Sequence, residues 1–226
     1  MEIAFITPVP PGSGTSPVIS YDGTRVFATG GNGEMIAIDA ENGKILWNVN
    51  INGVQASPSS SPNGILYAHG KDNLIAMNES DGSIKWASSF ESLAAEHLPG
   101  VDPIEGILPD GRPVAFLDSV TTITKNFIYN SALIGYELHL AGRKLTHPLK
   151  TFMLVLDPET GDLIETYPIP DTSEGGISIG MNGDLYMDIL ALQASLGYYV
   201  YNRLLPAELH APKPVGGLVA FTPEGK

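Results

Sequence analysis

A unit of about 40 residues occurs twice near the start of the chain, and it restricts the fold more than any other feature. The first copy runs Ser16-Pro17-Val18-Ile19-Ser20-Tyr21-Asp22-Gly23-Thr24-Arg25-Val26-Phe27-Ala28-Thr29-Gly30 and then Met35-Ile36-Ala37-Ile38-Asp39-Ala40-Glu41-Asn42-Gly43-Lys44-Ile45-Leu46-Trp47. The second has Ser57-Pro58, Asn63-Gly64-Ile65-Leu66-Tyr67-Ala68-His69-Gly70 and Leu74-Ile75-Ala76-Met77-Asn78-Glu79-Ser80-Asp81-Gly82-Ser83-Ile84-Lys85-Trp86. Trp47 and Trp86 are 39 residues apart, Ser16 and Ser57 are 41 apart. Turn-forming residues fall at three regular points, most of them Asn-Gly or Asp-Gly pairs: Asp22-Gly23 and Asn63-Gly64, Gly31-Asn32-Gly33 and Asp72-Asn73, Asn42-Gly43 and Asp81-Gly82. Such pairs accept the positive φ of tight hairpins. The apolar runs between them are too short for helices. Each unit therefore predicts a four-stranded antiparallel meander.

Two more divergent copies follow. One holds Asn126-Phe127-Ile128-Tyr129 and Met153-Leu154-Val155-Leu156-Asp157-Pro158-Glu159-Thr160-Gly161, the other Asn182-Gly183-Asp184-Leu185-Tyr186 and Leu218-Val219-Ala220-Phe221. Phe27, Tyr67, Tyr129 and Tyr186 share one position, read as packing between neighbouring blades, since a lone sheet cannot bury both faces. The chain reads as one all-β domain over 1–226, a β-propeller of about four blades at 16–50, 57–88, 119–168 and 175–226. It is either part of a larger propeller or a small ring closed by a strand at 3–6, and an open blade edge would favour self-association.

The strings Ala37 to Trp47 and Ala76 to Trp86 resemble the tryptophan-docking repeat of the quinoprotein-like (PQQ-like) propeller family. The resemblance implies that each tryptophan packs on the next blade. Tyr167 stands near that position in the third copy. It also implies a periplasmic or extracellular setting, although Met1-Glu2-Ile3-Ala4-Phe5 has no basic start and runs into Pro8, Pro10 and Pro11, leaving the cytoplasm open. In that family a dehydrogenase holds pyrroloquinoline quinone with calcium on the propeller axis. Oxygen ligands at Asp118, Asn130 or Asp188 would be the counterparts here, but the vicinal cysteines of many such enzymes have none, as the chain has no cysteine.

Composition removes other classes. Twelve Lys and Arg against twenty-five Asp and Glu give a net charge of -13, which repels a phosphate backbone, so nucleic acid is not an expected partner. Residues 189–202 are too short to span a bilayer and contain Gly197. His69, His97, His139, His147 and His210 show no metal-ligand spacing, and no metal site is expected. Gly30-Gly31-Asn32-Gly33 lies in a hairpin rather than between strand and helix, and there is no Gly-x-Ser-x-Gly elbow.

Function is expected where the repeat is interrupted. From the second-strand aromatic to the third strand the spacing is 11 (Phe27 to Ile38) and 10 (Tyr67 to Met77), but 27 (Tyr129 to Leu156) and 35 (Tyr186 to Phe221). The insertions are 89–117, 131–151 and 189–216, partly helical, and meander connectivity puts all three on one face. Ser88-Ser89-Phe90-Glu91 reads as a capping box opening a helix through Leu98. Leu192, Leu196, Tyr199 and Val200 have helical spacing, with Tyr198 and Tyr201 added. Residues 137–150 carry a basic cluster, which reads either as a draw for an anionic ligand or as a solvated hairpin tip, the latter favoured. His139, Arg143, Lys144, His147, Tyr198, Tyr199 and Arg203 thus form the candidate binding face of a non-catalytic module for a protein or small ligand, with a PQQ-dependent dehydrogenase fragment as the alternative and no cofactor otherwise expected.

Overall fold

The computed structural model describes residues 2–11, 15–53, 56–70, 72–117, 119–190 and 192–222, the side chains of 192–194 excepted. Each repeat forms the expected meander. The first sheet is β1 (Val18–Ile19), β2 (Arg25–Thr29), β3 (Glu34–Asp39) and β4 (Ile45–Asn50), in that spatial order; the second is β5 (Ser59–Ser60), β6 (Ile65–His69), β7 (Asn73–Asn78) and β8 (Ile84–Ser89). After a helix α1 (Glu91–His97) and a strand β9 (Val114–Leu117), the third sheet orders β10 (Thr122–Ile123), β11 (Ile128–Leu140), β12 (Arg143–Leu156) and β13 (Leu163–Ile169), with β9 added on β11. The fourth has three strands, β14 (Ser178–Ile179), β15 (Leu185–Ile189) and β16 (Gly217–Phe221), and a helix α2 (Leu192–Tyr199) leaves the chain between the last two. The fold is all-β and propeller-type, built from antiparallel meander sheets.

The repeat is reproduced down to its register. Trp47 faces Ala37 and Trp86 faces Ala76, and both ladders carry a bulge one residue on, between Ala37 and Ile38 and between Ala76 and Met77. Gly43, Gly82 and Gly161 occupy the same left-handed turn position, with φ of 74°, 73° and 76°. The glycines are required twice over, because a β-carbon on Gly82 would also lie 2.8 Å from the Trp47 ring and one on Gly161 2.5 Å from that of Trp86.

The chain divides into two compact units, each described by itself: Met1–Ser89 with Val120–Ile128 and Leu156–Asp162, and the remainder. The core of the first joins Phe27, Met35, Ala37, Ile51, Leu66, Ala68, Ile75 and Met77, with Trp47 and Val49 packed against it. Phe27 and Tyr67 are fully buried, each 5.8 Å from the tryptophan of its own sheet; Phe27 shares its core with Leu66, Ala68, Ile75 and Met77 of the second sheet, and the Tyr67 hydroxyl donates to the Pro158 carbonyl of the third at 3.4 Å. The Trp47 indole N–H donates to the Glu79 carbonyl (2.9 Å) and that of Trp86 to the Pro158 carbonyl (3.2 Å), so both dock on the same turn of the following sheet. In the second unit Tyr129 is partly buried against a core of Met153, Val155, Ile169, Ile177, Met187 and Ile189, while Tyr186 is 36% exposed.

Residues 3–6, expected as a strand, form none. They lie on the first sheet's last turn: Phe5 is set against Gly43 and the Thr7 hydroxyl donates to the Gly43 carbonyl at 2.7 Å. Ser88, two residues after Trp86, makes the same bond to Gly161 at 2.6 Å. The segment therefore imitates the tail of an outer strand. Ile3 and Ile6 are both 79% exposed, and among the described residues no strand pairs with the segment.

Candidate functional site

Ser89 apart, the three excursions fall in the second unit, where the first and the third each pack on the second. Residues 131–151 are not a loop. They prolong β11 and β12 into a hairpin closed by Ala141 and Gly142, whose φ values of 50° and 75° are those of a two-residue primed turn. The first excursion leans on this hairpin through the pairing of β9 with β11 (Ala132 opposite Leu117 to Gly135 opposite Val114). The Tyr136 hydroxyl donates to the Pro99 carbonyl at 2.7 Å, and the His139 amide to that of Ile107 at 2.7 Å. The His97 ring lies 4.5 Å from Phe152, and the Lys150 ammonium donates to the His97 carbonyl at 2.8 Å.

Helix α1 spans most of the expected segment, but the capping box does not form. Its N-cap is Phe90, with no side-chain cap bond. Ser88 is still in β8, and its hydroxyl is taken by Gly161. Leu93 and Ala94 are buried, so packing rather than capping holds a seven-residue helix too short to be stable alone.

The third excursion docks on the other side of the hairpin through His147. The ring is fully buried; its Nε2–H donates to the Leu209 carbonyl at 2.5 Å and it lies 5.8 Å from Tyr201. Gly197 of α2 comes close enough that a β-carbon there would be 3.3 Å from His147 Nδ1 and 2.9 Å from Ala211. Burial pushes the His147 pKa down, with the Leu209 bond acting in the opposite sense, so the ring is held neutral. Asn202 clamps the returning chain, donating to the Ala211 carbonyl (2.9 Å) and accepting from its amide (2.7 Å).

The basic cluster expected over 137–150 is thus dispersed. His147 points inward and is a strut. Glu137 accepts from His139 (3.0 Å) and Lys144 (2.9 Å) at the hairpin tip; burial tends to raise its carboxyl pKa, but these two partners hold it below the ordinary value. Arg143 is exposed at the same tip. Tyr198, Tyr199 and Arg203 are elsewhere, on the third excursion, and all three reach solvent.

That excursion carries what composition did not reveal. The helical stripe faces outward: Leu196, Tyr199 and Val200 are 43%, 54% and 45% exposed, and Leu204 is 51% exposed. Gly197, Tyr201, Leu205, Leu209 and Ala211 provide the buried side instead. Tyr198 and Tyr199 meet edge to face at 5.0 Å, which makes a rigid aromatic pair.

Two of the residues considered for a quinone and its calcium, Asn130 and Asp188, are engaged by neighbouring protein groups. The Asn130 side-chain oxygen accepts from the Ser119 hydroxyl (3.3 Å) and the Ser131 amide (2.8 Å), and Asp188 accepts from the Ser173 hydroxyl (3.0 Å). Asp118 lies outside the described residues. Among the described residues no three His, Cys, Asp or Glu side chains group as metal ligands, and no helix is long and apolar enough to cross a membrane.

A family model described as outer membrane protein assembly factor BamB matches residues 7–190. Protein Rv3035 of Mycobacterium tuberculosis (strain ATCC 25618 / H37Rv) is 27% identical over 150 residues, which cover 58% of this chain and 36% of that protein. The outer membrane protein assembly factor BamB of Moranella endobia (strain PCIT) is 28% identical over 71 residues, 31% of this chain and 18% of that one. The chain therefore spans well under half the length of these relatives. Among solved structures, quinohemoprotein alcohol dehydrogenase ADHIIG from Pseudomonas putida HK5 aligns with a TM-score of 0.54 at 10% identity, covering 80% of this chain and 29% of that one, a likeness of fold alone. The docked tryptophans, the matching turn glycines and the family match agree: the chain belongs to the PQQ-like propeller family described by the outer membrane protein assembly factor BamB.

Proposed function

We propose that this chain is a non-catalytic propeller module that binds a protein partner through its third excursion. The observation that carries the reading is the outward stripe of Leu196, Tyr199, Val200 and Leu204, joined by Tyr198 and Arg203. Tyrosine and arginine are the side chains that dominate binding energy at protein interfaces. A contiguous apolar surface of this kind is uncommon on a protein that stays alone in water. His147 of the hairpin behind it, bonded to Leu209, and Asn202 within the excursion, bonded to Ala211, hold the stripe without needing the partner. The family's description as an assembly factor for outer membrane proteins agrees with a protein partner met outside the cytoplasm.

A photo-crosslinking residue placed at Tyr199 tests this, with one at Tyr21, 76% exposed in the first unit, as control. A protein adduct is expected at 199 and not at 21. Tyr199→Ser with Leu204→Ser should leave the melting temperature nearly unchanged, because neither side chain is buried, and weaken capture about 30-fold or more. Equal adducts at both positions, or an undiminished adduct in a double variant carrying the crosslinker at Tyr198, would count against the assignment. Deleting the whole of 188–205 would not be a clean test, since Tyr201 and Leu205 are buried.

A further inference from the structure

We propose that the first unit contains a binding site for a small carboxylate with an apolar body, set where the β12–β13 turn meets the second sheet. The site follows from comparing two equivalent joints. Trp47 donates to the Glu79 carbonyl and Trp86 to that of Pro158, so Glu79 and Pro158 hold the same position in successive turns. Ser60 and Ile123 also correspond, since each precedes the residue whose amide closes the first turn of its sheet (Ser61 to the Ile65 carbonyl, Thr124 to that of Phe127).

At the first joint the chain fills the space itself. Glu79 is 5% exposed and its Oε1 accepts from the Ser60 hydroxyl at 2.5 Å. At the second joint Pro158 has no such arm and Ile123 no hydroxyl. The result is a cavity of about 310 Å³ bounded by Asn63, Tyr67, Ile123, Lys125, Pro158 and Glu159 among others, all within the first unit. That volume is at the small end of ligand pockets.

The lining defines what fits. Asn63 uses its side-chain oxygen to accept from Ser61, which leaves its amide N–H groups to donate. Lys125 is exposed at the rim. Tyr67, where the first joint has Phe27, adds a hydroxyl that donates to the Pro158 carbonyl at 3.4 Å; burial pushes its pKa up to about 12, with Glu159 and Asp157 adding to the rise, so it carries no charge to repel an anion. The Glu159 carboxylate is held by Lys85 at 2.6 Å, which offsets its repulsion of an anion. A carboxylate at Asn63 and Lys125, with its apolar body over Ile123 and Pro158, replaces the buried carboxylate that Glu79 supplies one joint earlier. The ligand is a free small acid or the C-terminal carboxylate of a peptide, which share this chemistry.

Titration of the labelled chain with benzoate and with acetyl-Ala-Leu, followed by NMR, tests the assignment. Saturable shifts at the Asn63 side-chain amide and the Ile123 methyls are expected at about millimolar ligand, and not with benzamide or the peptide amide. Response to benzoate alone assigns a free acid, to the peptide alone a chain terminus, and to both a site that reads the carboxylate whatever carries it. Lys125→Ala should weaken binding about tenfold. Pro158→Glu with Ile123→Ser, which rebuilds the Glu79 and Ser60 pair, should abolish it. The proposal is overturned by equal shifts with benzamide, by no saturable shift below about 20 mM, or by wild-type affinity in the folded double variant. Should that variant not fold, Lys125→Ala and the amide controls still decide.

Discussion

Trp47→Ala is expected to destabilise the first unit by about 3 kcal/mol, near the lower end for a large aromatic because the ring is only half-buried. The ring packs on Phe27 at 5.8 Å and on the face of Gly82, and its N–H satisfies the Glu79 carbonyl. Trp47→Phe separates these contributions. It keeps most of the packing and loses one hydrogen bond, so a cost of about 1 kcal/mol is expected. Phe5 already shows the geometry without the N–H, since it sits on Gly43 much as Trp47 sits on Gly82. Hydrogen exchange of the β3 and β7 amides, with urea unfolding alongside, reads both effects. If the alanine variant lost no more than the phenylalanine variant, the tryptophans would not be what joins successive sheets.

The parts of the fold legible in the sequence are those dictated by backbone chemistry. A turn that needs positive φ beside a docked aromatic ring leaves little choice but glycine, so Gly43, under Phe5, and Gly82 and Gly161, under Trp47 and Trp86, mark their turns even where the neighbouring strands have drifted. The excursions obey packing instead, and packing is poorly visible in local composition. The 27-residue spacing from Tyr129 to Leu156 looked like a loop, although residues 131–140 form regular strand. That strand is buried on most positions rather than on alternate ones, because other elements cover it, and so the alternating signal is lost. Counting charges over 137–150 grouped His147 with Lys144, but pleating and the primed turn send one inward and leave the other at the tip. In α2 helical spacing alone does not say which side is buried; Gly197 decides it, since the small residue permits the close approach and the large ones are left outside. Sequence grouped seven candidate residues that the fold divides: Tyr198, Tyr199 and Arg203 are exposed on one excursion, Arg143 is exposed at the hairpin tip, and His139, Lys144 and His147 make contacts from the hairpin.

Acid should weaken the first unit well before its carboxylates titrate. His69, at the end of β6, is 2% exposed, and its Nε2 lies 3.2 Å from the Thr121 hydroxyl. Burial alone pushes its pKa from 6.5 down to about 4. Between these values the unfolded chain binds a proton that the folded chain refuses. Stability is therefore full above about pH 6.5, falls with decreasing pH, and levels off once the folded ring also titrates near 4. The loss across that window is about 3 kcal/mol. Two other groups act in different ranges. Glu79, whose carboxyl burial raises, binds its proton earlier in the folded state and so offsets part of the loss toward the acid end. Asp22 is held at about 2 by hydrogen bonds from Ser20 and Thr24, so whatever it contributes is lost only below its ordinary value of 3.8. His69→Gln keeps a neutral donor near Thr121 and has no proton to refuse. Unfolding free energies measured from pH 7.5 to 4 should fall steeply in the parent and run nearly flat in the variant. Parallel slopes in the two proteins would mean that His69 is not the group whose burial the acid opposes.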